Sequence, residues 1–265
     1  MSEQTNGSVR IERSGDGGHV ADLVLDRPEA LNALSAAFSG ELAAACAVLA
    51  GDRSVRAVVL SSSQARAFCV GADLKERARL SDDGLRAQRE IMRTAFRGLL
   101  ELPVPVIAAV EGHALGGGLE LALSCDLIVA GEGAVLGLPE VSVGVSPGGG
   151  GTQLLTRRLG WSRAADLIFT ARRVAGEEAY RLGLVDRLVP SGGAREAALE
   201  LAATIAGHSP VGVRNAKRAM RLGFDASLAA GLEIEDGAWR VTAFSADRAE
   251  GVRAFVEKRR PNWPG

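Results

Sequence analysis

Short apolar runs alternate along the chain with longer stretches whose apolar residues recur at helical spacing. Val9 to Arg13 and His19 to Leu25 read as two strands joined by a glycine-rich hairpin at Gly15-Asp16-Gly17-Gly18. Asp26 to Leu34 is a turn containing Pro28, and a helix from about Ala36 to Leu49 carries Leu42, Ala45, Cys46 and Leu49 on one face. Val55 to Leu60 is a β-branched run of the kind found in a buried parallel strand. After a polar loop, Ser61 to Arg66, the segment Ala67 to Asp73 leads into a short charged helix, Leu74 to Leu80. Ser81 caps a helix reaching about Leu100, with Met92, Ala95, Phe96, Leu99 and Leu100 as its apolar stripe.

Leu102 to Pro105 breaks that helix and opens the stretch on which the rest depends, PVIAAVEGHALGGGLELALSCD, Pro105 to Asp126. It begins as the strand Val106 to Val110, turns through Glu111-Gly112-His113, passes Gly116, Gly117 and Gly118, and enters a helix near Leu119. Leu127 to Ala130 and Val135 to Leu136 are further short strands. Alternation of this kind predicts an α/β fold with a largely parallel sheet. Beyond Gly151 the pattern turns helical: Thr152 to Leu159, Ser162 to Thr170 and Glu177 to Leu182, with a last strand at Val185 to Val189. Helices follow over Arg195 to Ile205, from Ser209-Pro210 to before Gly223, over Leu228 to Phe244 and over Asp247 to Lys258. Residues 1–190 thus read as the α/β core and 191–265 as a helical region whose apolar stripes suit an oligomer interface.

Composition narrows this only a little. A chain of 265 residues with 47% apolar and 24% charged residues buries one substantial core. A net charge of −1 supplies no basic field for nucleic acid or an acidic membrane. Cys46, Cys69 and Cys125 have no metal-ligand spacing, and their odd number points to a reducing compartment, the cytoplasm. MSEQTNGSVR lacks the apolar core of a signal peptide, and no run is long enough to span a bilayer.

Three clusters carry candidate chemistry. A strand that runs through glycines into a helix start aims bare N–H groups at the positive end of a helix dipole. Such amides hold an anion, or an oxygen that becomes anionic only in a transition state. In Gly116 to Glu120, the carboxylate of Glu120 stands one turn from those amides. In Ala67 to Asp73, Gly71 permits an unusual backbone angle and Ala72 is small enough for a ligand to approach its N–H. In Gly137-Leu138-Pro139-Glu140, Pro139 fixes how Glu140 projects. Taken singly, each has a plainer reading: Gly71 serves a turn, Glu120 balances the helix dipole, and Glu140 is a solvated loop charge.

Together the segments Ala67-Phe68-Cys69-Val70-Gly71-Ala72-Asp73-Leu74-Lys75-Glu76, Gly112 to Glu120, Pro139-Glu140 and Pro147-Gly148-Gly149-Gly150-Gly151-Thr152 resemble the crotonase family, the enoyl-CoA hydratases and isomerases. The likeness runs from Leu25-Asp26-Arg27-Pro28 to Phe255-Val256-Glu257-Lys258-Arg259. It implies a crotonase-like spiral of ββα units with a C-terminal helical oligomerisation region, assembled as a homotrimer or as a hexamer made of two trimers. It implies an oxyanion hole from the N–H groups of Ala72 and Gly117 and a catalytic pair in Glu120 and Glu140. Contacts to coenzyme A fall by resemblance on Arg27, Ala30, Ala72, Asp73 and Leu74, with Phe255 and Lys258 reaching a neighbouring subunit's CoA. The substrate is then an acyl-CoA thioester, with no metal and no separate cofactor, since coenzyme A is part of the substrate. Val70 and Ser146 depart from residues common in the family, and His113 stands at a position that varies in it.

Other readings fare worse. The Pro147 to Thr152 glycines lack the Gly-Lys-Ser/Thr ending of a phosphate loop, and no Gly-x-Gly-x-x-Gly follows the first strand. A Δ3-Δ2-enoyl-CoA isomerase typically needs one of the two carboxylates. The stretches AFCVGADLKERA and GGLELAL also resemble the methylglutaconyl-CoA hydratase branch of leucine degradation, from which Pro139 departs. RNA binding known in that branch uses a lysine-rich first helix, and the helix from Ala36 has no lysine. A non-catalytic CoA-binding protein would have little reason to keep both glutamates beside the glycines.

Overall fold

The computed structural model describes residues 8–265, so the expectation for the first residues lies outside it. Strand β1 (Val9–Ser14) and strand β2 (Val20–Leu25) form the expected antiparallel hairpin. Strands β3 (Ala57–Ser62), β5 (Val106–Val110), β7 (Leu127–Gly131) and β10 (Arg187–Val189) extend it in parallel, giving the order β1-β2-β3-β5-β7-β10. A second, four-stranded sheet has the order β4 (Ala67–Cys69), β6 (His113–Leu115), β8 (Val135–Gly137), β9 (Arg173–Ala175). The chain visits the two sheets in turn, β3 then β4, β5 then β6, β7 then β8, with helices between the visits. This is the expected spiral of ββα units.

Helix α1 (Ala36–Gly51) is capped by Ser35, whose hydroxyl accepts from Phe38 N–H. Helix α2 is only Leu74–Arg77, shorter than the pattern predicted, and Asp73 caps it through the N–H groups of Lys75 and Glu76. Helix α3 (Asp82–Leu100) buries Met92, Ala95, Phe96 and Leu99 as predicted. Helix α4 begins at Gly117 rather than Leu119 and is buried along its whole length to Ser124. Three three-residue strands, β4, β6 and β9, go beyond what the sequence pattern predicts, because runs this short show no period.

The inner core lies between the sheets and these helices, with Phe38, Phe68, Leu99, Leu119 and Ile128 among its buried members. A smaller apolar layer covers the opposite face of the large sheet, where helix α8 (Ala194–Ala206) packs Ala198, Leu201 and Ala202 against Val59, Ile107 and Val129. Buried Asp22 on β2 accepts from Ser61 Oγ at 2.6 Å and from Arg195 Nε at 2.7 Å, which ties α8 to the sheet. Helix α8 is therefore a layer of the core, although it follows the expected boundary at residue 190. Helices α5 (Gly151–Leu159), α6 (Trp161–Phe169) and α7 (Gly176–Leu182) complete the body.

The last three helices behave differently. In α9 (Pro210–Gly223) only Pro210 is buried, and in α10 (Leu228–Ala243) only Ala238. Lys217 Nζ and Arg221 hold α9 to the body, each 2.7 Å from Asp126. Helix α11 (Ala246–Val256) is buried at Asp247, Glu250 and Ala254. No helix among the described residues is long and apolar enough to cross a membrane.

Candidate active site

Strands β4, β6 and β8 are parallel neighbours, and the site forms where all three end. Ala72 lies three residues beyond β4, Gly117 two beyond β6, and Glu140 three beyond β8. The candidate residues, far apart in sequence, are thus set side by side at the carboxyl ends of parallel strands.

Gly71 takes φ +87°, and a Cβ there would lie 2.8 Å from Leu115 O and 3.0 Å from Gly117 N. That contact brings the Ala72 peptide against the start of α4. Residues 31–34 brace it from behind: Leu34 N donates to Gly71 O at 2.7 Å, and Asp73 N donates to Leu34 O at 3.0 Å. Neither Ala72 N–H nor Gly117 N–H donates to a protein acceptor among the described residues. Gly118 lets α4 touch β4, since a Cβ there would fall 1.9 Å from Cys69 O. The Cys69 thiol is fully buried, and burial pushes it up to about 12, so it is inert packing beside the loop.

Glu120 is 3% exposed. Its Oε1 accepts from Gly149 N at 2.6 Å and from Gly151 N at 2.8 Å. Burial raises its pKa, while these two amides and the charge of Arg89 pull the other way. The glycine run Gly148 to Gly151 is thus a clamp on Glu120, not a phosphate loop. Glu140 follows Pro139 in a single 3-10 turn, Glu140–Val143. A Cβ on Gly116 would lie 3.1 Å from Glu140 Oε1, so this carboxyl faces the glycines that open α4. Its Oε2 is buried and has no hydrogen-bond partner among the described residues. Burial, helped by the charge of Glu120, pushes Glu140 up to about 7, with Arg77 opposing. A protonated carboxyl and a clamped carboxylate can coexist here near neutral pH.

The segment expected to meet coenzyme A is partly assembled. Arg27 Nη1 lies 2.9 Å from Asp73 Oδ2 and 2.7 Å from Ala33 O. A cavity of about 390 Å³ is lined by Arg27, Ser35, Asp73, Lys75, Glu76, Arg79 and Leu80. Leu74 is exposed beside it, while Ala30 ends the turn Pro28–Ala30 and does not line it. Phe255, 85% exposed, and Lys258 lie on the surface at the end of α11 and do not line this cavity. The sequence reading missed Lys75 and Arg79 as cavity residues, and Arg77 and Arg89, whose charges oppose the rise in pKa of Glu140 and Glu120. A run of charges directly after the Gly-Ala-Asp turn was the available signal.

Asn32 was missed as well. Fully buried at φ +56°, it accepts from Arg27 N at 2.8 Å and donates to Ser62 Oγ and to Phe68 O, both at 2.9 Å. It joins the Arg27 turn to the end of β3 and to β4, just ahead of Ala72.

Comparison with known proteins identifies the family. The family model described as enoyl-CoA hydratase/isomerase matches residues 15–265. Human enoyl-CoA hydratase domain-containing protein 2, mitochondrial, is 42% identical over 97% of this chain and 89% of its own length. Human methylglutaconyl-CoA hydratase, mitochondrial, is 41% identical over 92% of this chain and 73% of its own. The crystal structure of an enoyl-CoA hydratase from Bacillus anthracis superposes with a TM-score of 0.95 and 40% identity, covering 98% of this chain and 100% of that one. The chain belongs to the enoyl-CoA hydratase/isomerase family, the crotonases.

Proposed function

We propose that this chain is an enoyl-CoA hydratase that adds water reversibly and syn across C2=C3 of a 2-enoyl-CoA thioester. The observation that carries the reading is the pair Glu120 and Glu140, one clamped by backbone amides and one raised to about 7, at the free N–H groups of Ala72 and Gly117. The two N–H groups hold the thioester oxygen and stabilise the enolate as it forms; one such donor is typically worth about 3 kcal/mol in the transition state. Glu120, ionised, orients the water and takes its proton as the oxygen bonds to C3. Glu140, protonated, gives its proton to C2. No metal or redox step enters, and coenzyme A is carried in as part of the substrate.

Arg27, Asp73, Leu74 and Ala30 are assigned to the coenzyme A portion, with Lys75 and Arg79 beside them. Phe255 and Lys258, which do not line the cavity beside Arg27, are assigned to a neighbour's coenzyme A in a homotrimer or a hexamer of two trimers. The unburied stripes of α9 and α10 support that assembly, and the three free, buried thiols suit the cytoplasm. Isomerase chemistry would leave one glutamate idle. The methylglutaconyl ester is the second reading, supported by the 41% identical relative of that name.

The test is hydration of crotonyl-CoA, followed as loss of the enoyl thioester absorbance, by wild type and Glu140→Gln. Turnover that collapses in the variant supports the two-carboxylate mechanism. An active wild type matched by Glu140→Gln removes Glu140 from the reaction.

A further inference from the structure

Helix α11 buries a carboxylate that the hydration chemistry does not use. Glu250 is only 3% exposed, and its charge is answered from three directions. Arg253, one turn along the helix, donates to Oε2 through Nε at 3.1 Å and through Nη2 at 2.6 Å. Arg259, beyond the helix end, donates through Nη1 to Oε1 at 2.6 Å and through Nη2 to Oε2 at 3.1 Å. Asn262 N donates to Oε1 at 2.8 Å, which draws the last residues of the chain back along α11. There Trp263 Nε1 donates to Gly207 O at 2.8 Å, and Gly265 N donates to buried Asp247 at 2.9 Å.

Lys258 stands at the turn between the helix and this clamp. It takes φ +53°, in the left-handed region; its N donates to Phe255 O at 3.2 Å, and the following N, of Arg259, donates to Ala254 O at 3.0 Å. It is therefore the residue that closes the helix, a place glycine normally fills because a Cβ disfavours that backbone angle. The chain does use glycine at the end of α7, where Gly183 takes φ +85°. A lysine in this place is strained, and the pair Arg259–Glu250 offsets the strain by fixing the residue that follows. The clamp also sorts the charges. Arg253 and Arg259 are taken up by Glu250 and Glu257, whereas Lys258 is exposed and has no carboxylate within ion-pairing distance among the described residues. An ammonium on a fixed root loses less freedom on meeting an anion than one on a fraying helix end.

We propose that Glu250 is a positioning residue: through Arg259 it holds the turn at Lys258, so that the ammonium meets a phosphate of the coenzyme A bound by a neighbouring subunit. This rests on the assignment of Lys258 to a neighbour's coenzyme A and names the group that makes that contact effective. Glu250 itself touches no substrate, so its contribution falls on binding of the nucleotide end and not on bond making at C2 and C3.

The experiment measures kcat and KM for crotonyl-CoA and for crotonyl-pantetheine, which lacks every phosphate, together with the Kd of coenzyme A by calorimetry. Glu250→Gln sets an amide NH2 before guanidinium donors and releases Arg259. It is expected to raise KM for crotonyl-CoA and Kd for coenzyme A about fivefold, with kcat unchanged and crotonyl-pantetheine used as by wild type. Lys258→Gln is expected to raise both constants about tenfold, and the double variant no further than Lys258→Gln alone. Effects that add in the double variant, or equal losses on crotonyl-pantetheine, show a general role in holding the fold and overturn the proposal. Unaltered constants in Glu250→Gln beside raised ones in Lys258→Gln overturn it and leave the assignment of Lys258 standing. No change in Lys258→Gln removes that assignment and the proposal with it. Should Glu250→Gln fail to assemble, Arg259→Gln, which leaves Glu250 its bonds to Arg253 and Asn262, carries the same expectation, and unaltered constants there overturn the proposal. A wild type idle on crotonyl-CoA overturns the hydratase reading alone, since the Kd of coenzyme A still decides the role of Glu250.

Discussion

Glu140 holds its proton to about 7 because burial and a neighbouring carboxylate both disfavour its charge. The raised value has two consequences. In catalysis the pair must carry one proton: hydration moves it from Glu140 to C2 while Glu120 collects another from water, so the pair leaves the turnover still singly protonated. Forward and reverse kcat/KM therefore lose activity along the same alkaline limb near 7, and the limb belongs to the pair rather than to one residue. Initial rates in both directions between pH 5 and 9 check this; limbs that differ between directions would contradict it. In folding, the carboxyl ionises near 4.5 when unfolded and near 7 when folded. The folded chain binds the proton more tightly, so wild type loses stability as pH rises from about 4.5 through 7, by roughly 3 kcal/mol at most. Glu140→Gln has no such loss. Thermal melts of the two proteins should match most closely near pH 5 and separate in favour of Glu140→Gln by pH 8, even though the variant loses roughly 10²–10⁴ in turnover.

At the scale of elements, function depends on close approach. Helix α4 reaches β4 only because residue 118 has no side chain, and the N–H of Gly117 is placed by that contact. Gly118→Ala would force α4 away from Cys69, costing about 1–3 kcal/mol by overpacking. A displacement near 1 Å at the oxyanion donor costs on the order of 10²-fold in rate. The expected signature is a fall in kcat larger than any rise in KM, with a lowered melting temperature; an unchanged kcat would detach α4 packing from the chemistry. Asn32 braces the other donor. Asn32→Ala removes three hydrogen bonds at a fully buried site and leaves Arg27 N and Phe68 O short of a partner, which costs about 1–3 kcal/mol per unsatisfied group.

These two contacts also show what the sequence could and could not reveal. Helices α1, α3 and α9 were legible because an apolar stripe, in α1 and α3, and a serine cap, in α3 and α9, are local signals. The start of α4 was not, because glycine is a poor helix former and tertiary packing overrode that propensity. Strands β6 and β9, three residues each, are defined by their partners rather than by themselves. Glu120, Glu140, Gly117 and Ala72 stood out through motif and order. The clamp on Glu120 and the brace by Asn32 are hydrogen bonds between segments 29 or more residues apart, and spacing along the chain carries no trace of them.

The whole molecule has an uneven surface. The α9–α10 pair and the end of α11 expose Met220, Phe224, Leu228, Trp239, Phe244 and Phe255, with Phe244 at 81% and Phe255 at 85%. So many large apolar side chains on neighbouring helices exceed what a soluble monomer usually leaves uncovered. A second copy of the chain is the economical cover, since closed rings of identical subunits bury the same face on each. Light scattering on the purified protein is expected to give three or six times the chain mass of 27.5 kDa. Phe255→Asp places a charge at a position assigned to a neighbour's coenzyme A. It should raise KM for an acyl-CoA by about an order of magnitude, a loss of ~1.4 kcal/mol in binding, with kcat little changed while the oligomer persists. If the oligomer dissociates instead, the same residue holds the subunits together. An oligomer with unaltered KM would place the neighbour's coenzyme A away from this helix end, and the site would then be complete within one chain.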